Sequence, residues 1–363
     1  MREPDALKNR SLVRKNKNMR LVIVNGKFMS QRVTGVQRYA REMLCEIDKL
    51  LPENNDIKVI LAVDPNAENI PNYQNIQVEC IGKLHGNLWE QISLPLYVKK
   101  KKAICVSLCN MVPILSPDIA VIHDISFKVN PHFFSRKFSL WYRFVMTLTI
   151  KRVKKIITVS EFSKNEIIKY YHVDPSKVMV TYNGWQHFSN TPFDEDSLKK
   201  YRLEKGGYYF AMSSMAPNKN FGWIAEAAKR NPNAVFAVSG AVNSKVFGDN
   251  FDFEVPKNLK FLGYVSDEEA KTLMRDCKAF LFPTFYEGFG IPPLEAMSVG
   301  AKAVVSDASC MREIFEDSVY YVDPNNADVD FEQLISEKVS DPQKILDKFS
   351  WQKSAEKFME ILK

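Results

Sequence analysis

Apolar runs of three to five residues alternate along this chain with longer stretches whose apolar positions recur at helical spacing. Arg20-Leu-Val-Ile-Val24 reads as a buried strand, and after a loop to Thr34-Gly35 a helix is predicted from about Val36 to Leu51. Further strands are predicted at Lys58–Ala62, Ile76–Val78, Ala103–Ser107, Ile119–Ile122, Lys155–Val159 and Val178–Val180, the last running into the turn signal Tyr182-Asn-Gly184. The polar stretch Asn190–Lys205 has few large apolar residues and reads as a boundary. Beyond it, strands are predicted at Tyr208–Met212, Ala234–Val238, Leu259–Leu262, Ala279–Phe282 and Ala303–Val305, with helices at Phe221–Arg230, Asp267–Asp276 and Pro292–Val299. Strands alternating with helices imply parallel sheets. Two such runs imply two doubly wound α/β domains, with ligands expected in a cleft at the carboxyl ends of the strands.

Length agrees: 363 residues suit two cores of about 150–180 residues. No run of eighteen apolar residues marks a membrane span, and no apolar signal core follows the charged N-terminus, so a cytoplasmic location is expected. The formal charge of +7 hides an asymmetry, because residues 1–187 carry a net +13 and residues 188–363 a net −6. The two halves therefore meet different partners, or one ligand from different sides. Residues 1–19 are basic without apolar periodicity and are expected to form a disordered tail. The six cysteines show neither a disulfide framework nor a completed zinc pattern and are expected to be reduced.

The chemistry concentrates in Thr284–Gly300. Glu287 and Glu295 flank Gly288-Phe-Gly290, and Pro292 and Gly300 suit the first turn and the left-handed stop of a helix. A helix entered through such a loop aims unpaired N–H groups at one spot, where an anion is favoured. Two carboxylates beside that spot would repel a bare phosphate, so each is expected to meet neutral hydroxyls. Phosphate plus hydroxyls describes a nucleotide sugar.

This segment resembles the signature of GT-B glycosyltransferases of family 4, the glycosyl transferases group 1. The likeness runs from about Met19 to the C-terminus through Val33–Tyr39, Val121-Ile-His-Asp124, Thr158–Ser163, Tyr182-Asn-Gly184, Pro217-Asn-Lys-Asn220, Gly263–Glu269 and Phe349-Ser-Trp351. It implies two Rossmann-like domains facing a cleft. Residues 20–187 would hold the acceptor, residues 188–348 the nucleotide-diphosphate sugar, and residues 349–363 a helix crossing back onto the first domain. It also implies retention of anomeric configuration, with no metal and no cofactor.

By the same resemblance Glu295 accepts from ribose hydroxyls and Glu287 faces hydroxyls of the transferred sugar, while Gly288, Phe289, Gly290 and Ile291 approach the sugar or diphosphate. Lys219, beside Asn218, neutralises the departing diphosphate; Ser213 stands where the family often has an arginine, so one cation is missing. His123 is set beside the sugar ring, with Asp124 as its orienter or as a contact to acceptor hydroxyls. Gly35 lets the chain pass close to the donor phosphate, and Tyr264 and Val265 stand where the base meets the backbone. Asn110, Glu161 and Asn183 lie on the acceptor side.

Phe133–Phe144 mixes aromatic and basic residues between the clusters Lys99–Lys102 and Lys151–Lys155. This suits an anionic lipid surface and a lipid-linked acceptor; the alternative is a helix whose aromatics are core. The same charge would suit nucleic acid, but no recognised nucleic-acid motif accompanies it. The resulting expectation is a retaining hexosyltransferase of polysaccharide or O-antigen assembly, cytoplasmic and peripheral at the inner membrane face. A sugar-nucleotide epimerase on a related two-domain fold is the alternative.

Overall fold

The computed structural model of the chain describes residues 19–53, 56–212, 216–240 and 255–363. Residues 1–18 of the expected tail and the candidate Ser213 lie outside the described residues. Seven strands form the first sheet: β1 (Arg20–Asn25), β2 (Ile57–Val63), β3 (Gln77–Cys80), β4 (Ile104–Ser107), β5 (Ile119–Val121), β6 (Lys155–Thr158) and β7 (Val178–Val180), in the order β3-β2-β1-β4-β5-β6-β7. Six form the second: β8 (Tyr208–Met212), β9 (Val235–Ser239), β10 (Leu259–Gly263), β11 (Ala279–Phe282), β12 (Ala303–Ser306) and β13 (Tyr320–Val322), in the order β10-β9-β8-β11-β12-β13. Every pairing described is parallel. Strands covered on both faces explain why the sequence shows unbroken apolar runs rather than alternation. The strand β13 was not foreseen.

The helices that matter for the site are α1 (Gly35–Leu50), α2 (Leu94–Lys101), α3 (Arg136–Arg152), α4 (Glu161–Tyr171), α5 (Phe221–Arg230), α6 (Asp267–Asp276), α7 (Ile291–Ser298) and α8 (Trp351–Leu362). Helix α1 begins at a capping box of Thr34 and Gln37 and buries Tyr39, Ala40, Met43, Leu44 and Ile47, one stripe at helical spacing. Helix α8 is the expected return onto the first domain. Its N-cap Ser350 accepts from Lys353 N–H, and Trp351, Ala355, Phe358, Met359 and Leu362 are buried where it packs on α1. Two cations of the first lobe close its far end: Arg20 donates to Leu362 O and Lys155 Nζ to Ile361 O, both at 2.8 Å. Cations at a helix C-terminus are favoured by its dipole.

Where the chain passes between lobes, the Asn183-Gly184 turn packs under α8. A Cβ on Gly184 would lie 2.4 Å from Trp351 N, so only glycine fits there. All six cysteines are free thiols, as expected.

Phe358 is 1% exposed at the centre of the α8–α1 contact. Its replacement by alanine should cost about 3–5 kcal/mol, read as a lower urea midpoint. Alanine at Glu356 on the exposed face of the same helix should change stability by no more than about 0.5 kcal/mol.

Candidate functional site

The loop between β11 and α7 is held from two sides. Asn218 O accepts from Phe285 N–H at 2.9 Å, and Asn220 Nδ2 donates to Pro283 O at 2.9 Å and to Pro324 O at 2.7 Å. Asn220 adopts φ +55°, the left-handed conformation that asparagine tolerates better than most residues. This pinning sets Lys219 Nζ 2.7 Å from Glu287 Oε1. Burial pushes the Glu287 carboxyl above its ordinary pKa, with Lys219 opposing the rise and the nearby Asp124 adding to it. Gly290 enters α7 at φ +96° with its missing side chain turned toward Met311.

Glu295, in the first turns of α7, is the end of a buried relay. Trp351 Nε1–H donates to His187 Nδ1 at 3.0 Å, and His187 Nε2 lies 2.8 Å from Glu295 Oε1. An indole N–H can only donate, so Nδ1 must accept and the imidazole proton sits on Nε2, pointing at the carboxylate. One oxygen of Glu295 is thereby fixed and the other is left to a ligand. His187 was not foreseen; it stands three residues after the Asn-Gly turn and carries no sequence signal of its own.

Across the cleft, Gly288 meets His123. A Cβ on Gly288 would fall 2.3 Å from His123 O, and Ser163 Oγ donates to the same carbonyl at 3.1 Å. His123 is buried, which lowers its pKa; its ring Nε2 lies 3.0 Å from Leu108 O, and its backbone N–H donates to Asn110 Oδ1 at 2.8 Å. Tyr39 packs edge-on to the His123 ring at 4.9 Å. Gly35 opens α1 directly opposite Ile291, the first residue of α7, so two helix N-termini face one space. Further out, Arg38 pairs with Asp267, and the Arg32 guanidinium lies 4.5 Å over the Tyr264 ring.

The family described as Glycosyl transferases group 1 matches residues 193–357, and Glycosyltransferase Family 4 matches residues 115–186. The O-antigen chain mannosyltransferase RfbU of Salmonella typhimurium is 29% identical over 66% of this chain and 65% of its own length. The O-antigen chain mannosyltransferase B of Escherichia coli is 28% identical over 58% of each. The chain thus spans under two thirds of the length of these curated relatives. The structure of Anabaena Alr3699/HepE in complex with UDP and glucose superposes with a TM-score of 0.68 at 18% identity, covering 95% of this chain and 99% of that one. The chain has the two-lobed GT-B fold, and its second lobe matches the group 1 glycosyltransferases.

Within this GT-B frame Glu287, Lys219, Asn218, Gly288, Gly290, Ile291, Glu295, Gly35, His123 and Asn110 converge on one cleft. Several residues behave differently from expectation. Asp124 does not orient His123: its Oδ1 accepts from Ser126 N–H at 2.8 Å, closing the turn that follows, while the histidine is fixed by Leu108 and Asn110. The space over Gly288 belongs to the His123 carbonyl rather than to a sugar. Phe289 is core, its ring packed on Phe349 at 5.3 Å, so only its backbone borders the cleft. Tyr264 is 68% exposed under Arg32 and Val265 is buried. Glu161 pairs with Lys164 at the start of α4, and the N–H groups of Glu161 and Phe162 are capped from the other lobe by Glu313, at 2.8 and 2.7 Å. Asn183 is buried with its Oδ1 unpartnered.

A carboxyl whose pKa is raised on folding binds its proton more tightly folded than unfolded. Stability then falls as pH rises from the ordinary carboxylate range through the raised value. Glu287→Gln removes that loss, so the melting temperature of the variant minus that of the parent should climb over this window and then level. A difference that stays flat from about pH 4 to pH 8 would remove the burial argument.

Proposed function

We propose that this chain is a retaining glycosyltransferase that moves a hexose from a nucleotide-diphosphate sugar to a hydroxyl of a growing, lipid-linked glycan of the O-antigen kind. The observation that carries the reading is the convergence of the Glu287–Lys219 pair, the His187-held Glu295 and the α7 N-terminus on a space roofed by His123. Two O-antigen mannosyltransferases among the relatives, and a structure of the same fold bound to UDP and glucose, support it.

In this reading the diphosphate sits between the starts of α1 and α7, whose N–H groups favour an anion. A methyl at Gly35 would meet only Ile291 Cδ1 at 3.9 Å, ordinary contact, so the protein's own packing does not demand glycine there and the room serves the donor. The free oxygen of Glu295 accepts from the ribose, with His187 as a positioning residue. Glu287 orients hydroxyls of the transferred sugar, and Lys219, held beside it, stabilises the charge that grows on the departing diphosphate. The acceptor oxygen bonds to the anomeric carbon as the bond to the phosphate oxygen breaks, and that oxygen takes the acceptor proton. His123, with Nε2 on Leu108, has Nδ1 to offer a sugar hydroxyl. No metal is required in this scheme.

The first lobe also presents a surface for lipid. Leu88, Ile92 and Leu96 repeat at helical spacing and are exposed, as are Leu115, Leu140, Trp141 and Phe144. The alternative, that the α3 aromatics are core, fails for Trp141 and Phe144, which are 59% and 60% exposed. Gln91, between the exposed positions of the first helix, bonds Val112 O and Ile114 N–H, and Arg152 at the end of α3 bonds Ile114 O, so these segments form one face. Lys99–Lys102 close α2, and Arg136, Lys137, Lys151 and Arg152 lie at the two ends of α3. Among the described residues no helix is long and apolar enough to cross a membrane. We infer peripheral contact with anionic lipid.

Incubation with UDP-, GDP-, dTDP- and ADP-sugars should release nucleoside diphosphate from one of them only when a lipid-linked glycan is added; release without acceptor, or interconversion of the sugar, would point to an epimerase or hydrolase instead. Glu287→Ala should abolish transfer while keeping nucleotide binding, whereas Glu295→Ala and His187→Ala should weaken nucleotide binding about tenfold, a change of about 1.4 kcal/mol. His187→Gln, which keeps an N–H for Glu295, should recover most of it. For the lipid surface, the protein should sediment with phosphatidylglycerol vesicles and not with phosphatidylcholine vesicles, and high salt or paired alanines at Trp141 and Phe144 should release it. Equal sedimentation with both vesicle types, or none, would remove that contact.

A further inference from the structure

A cavity of about 420 Å³ opens beside the cleft in the first lobe, at the carboxyl ends of the neighbouring strands β1 and β4. Its floor is a closed polar set. Lys27 Nζ lies 2.7 Å from Glu90 Oε2 and 2.6 Å from Asn87 Oδ1, and Asn25 Nδ2 donates to Glu90 Oε1 at 2.8 Å and to Ser107 Oγ at 3.2 Å. The Glu90 side chain is 2% exposed and that of Lys27 11%. Burying such a pair is weak evidence of added stability, since the desolvation of both charges offsets their attraction. Glu90 moreover sits in a π-helical stretch, Trp89–Ser93, a conformation that is rare and found most often at functional sites. Trp141 forms part of the wall, and Asn110, whose Oδ1 holds the His123 N–H, forms the side nearest the cleft.

We propose that this cavity receives the terminal sugar ring of the acceptor and selects an uncharged ring over an acidic one. The proposal rests on the transferase reading above and adds the chemistry of the acceptor to it. Position comes first: Asn110 borders both the cavity and His123, and Thr34 and Val36 of its wall bracket Gly35, which faces the start of α7. A ring seated there has one edge at the transfer site. Selection follows from charge. Lys27 and Glu90 cancel over 2.7 Å, so the floor is neutral overall and offers no free cation. A carboxylate brought in would shed its hydration beside a buried carboxylate, with no net charge in return. Hydroxyls face no such penalty, because they both donate and accept, as do the amides of Asn25, Asn87 and Asn110. Asn87 spends its Oδ1 on Lys27, so its N–H₂ is what it offers, and the exposed Trp141 ring offers an apolar face to the C–H side of a sugar. The exposed apolar side chains Leu88, Ile92, Leu140 and Phe144 come from the helices that carry Asn87, Glu90 and Trp141, which sets the lipid end of an acceptor outside the cavity and its sugar end within.

The test uses the full chain and four probes: the methyl α-glycosides of mannose, glucose and N-acetylglucosamine, and methyl α-glucuronide as the acidic counterpart. Binding is read by saturation-transfer NMR and by tryptophan fluorescence, with UDP, GDP, dTDP and ADP binding measured on the same samples. At least one neutral glycoside should bind, and the glucuronide should bind about tenfold or more weakly. Trp141→Ala and Asn87→Ala, neither in the core, should each weaken the neutral glycoside about fivefold or more by the loss of stacking or of a hydrogen bond. Equal binding of neutral and acidic glycosides, unchanged binding in both variants, or no glycoside binding up to the solubility limit while a nucleotide still binds would overturn the proposal and leave the transferase reading standing. Failure of every nucleotide and every glycoside to bind would overturn both.

Discussion

The approach of Gly288 to the carbonyl of His123 is the constraint on which the cleft depends. A single methyl at Gly288 would collide with that oxygen at 2.3 Å, so the lobes can close to this distance only because the loop has no side chain there. Closure in turn brings Glu287 near Asp124 and sets the start of α7 opposite the start of α1. The contacts around this point differ on its two sides. Toward the crossing of the chain they are apolar, with Tyr182, Phe289 and Phe349 packed ring against ring. Toward the mouth they are polar and partly wet: Arg38 with Asp267, Arg32 on Tyr264, and Glu313 on the α4 start. Exposed ion pairs contribute about 0–1 kcal/mol each, so the apolar side holds the lobes together more firmly than the mouth does.

Charge is treated the same way at three places. Glu287 is matched by Lys219, Glu295 by the Nε2–H of His187, and Glu90 by Lys27 and Asn25. Each carboxylate keeps a fixed partner, and both oxygens of Glu90 are engaged. Groups held in this way need no ordering when a ligand arrives. The relay from Trp351 through His187 to Glu295 also ties α7 to α8, the element that joins the lobes.

Much of this was legible in the chain. The strands β1 to β12 and the helices α1 and α5 to α8 follow from apolar runs and their periods, since a doubly covered parallel strand leaves few polar residues to blur it. Glu287, Glu295, Lys219 and Gly288 stood out because a glycine-containing loop, a proline-started helix and spaced acids occur together over a short span. His187, Lys27, Glu90 and Glu313 did not. Each is a lone polar residue in a segment without motif, and its importance comes from a partner between 63 and 164 positions away, as the pairs Lys27–Glu90 and Trp351–His187 illustrate. Asp124 shows the converse, since adjacency to His123 implied a pairing that the turn at Ser126 pre-empts.

The sequence by itself determined the two doubly wound lobes, a C-terminal helix and the residues of the α7 loop, because these depend on local period, turn chemistry and short spacing; the return of that helix onto the first lobe was implied by the family resemblance. Only the tertiary structure decided which oxygen of Glu295 is free, which proton His187 carries, that Gly288 answers to a carbonyl of the other lobe, and that a buried ion pair floors a cavity beside it. Those facts are distances between groups remote along the chain, set by how two lobes close on each other, and no local pattern encodes them.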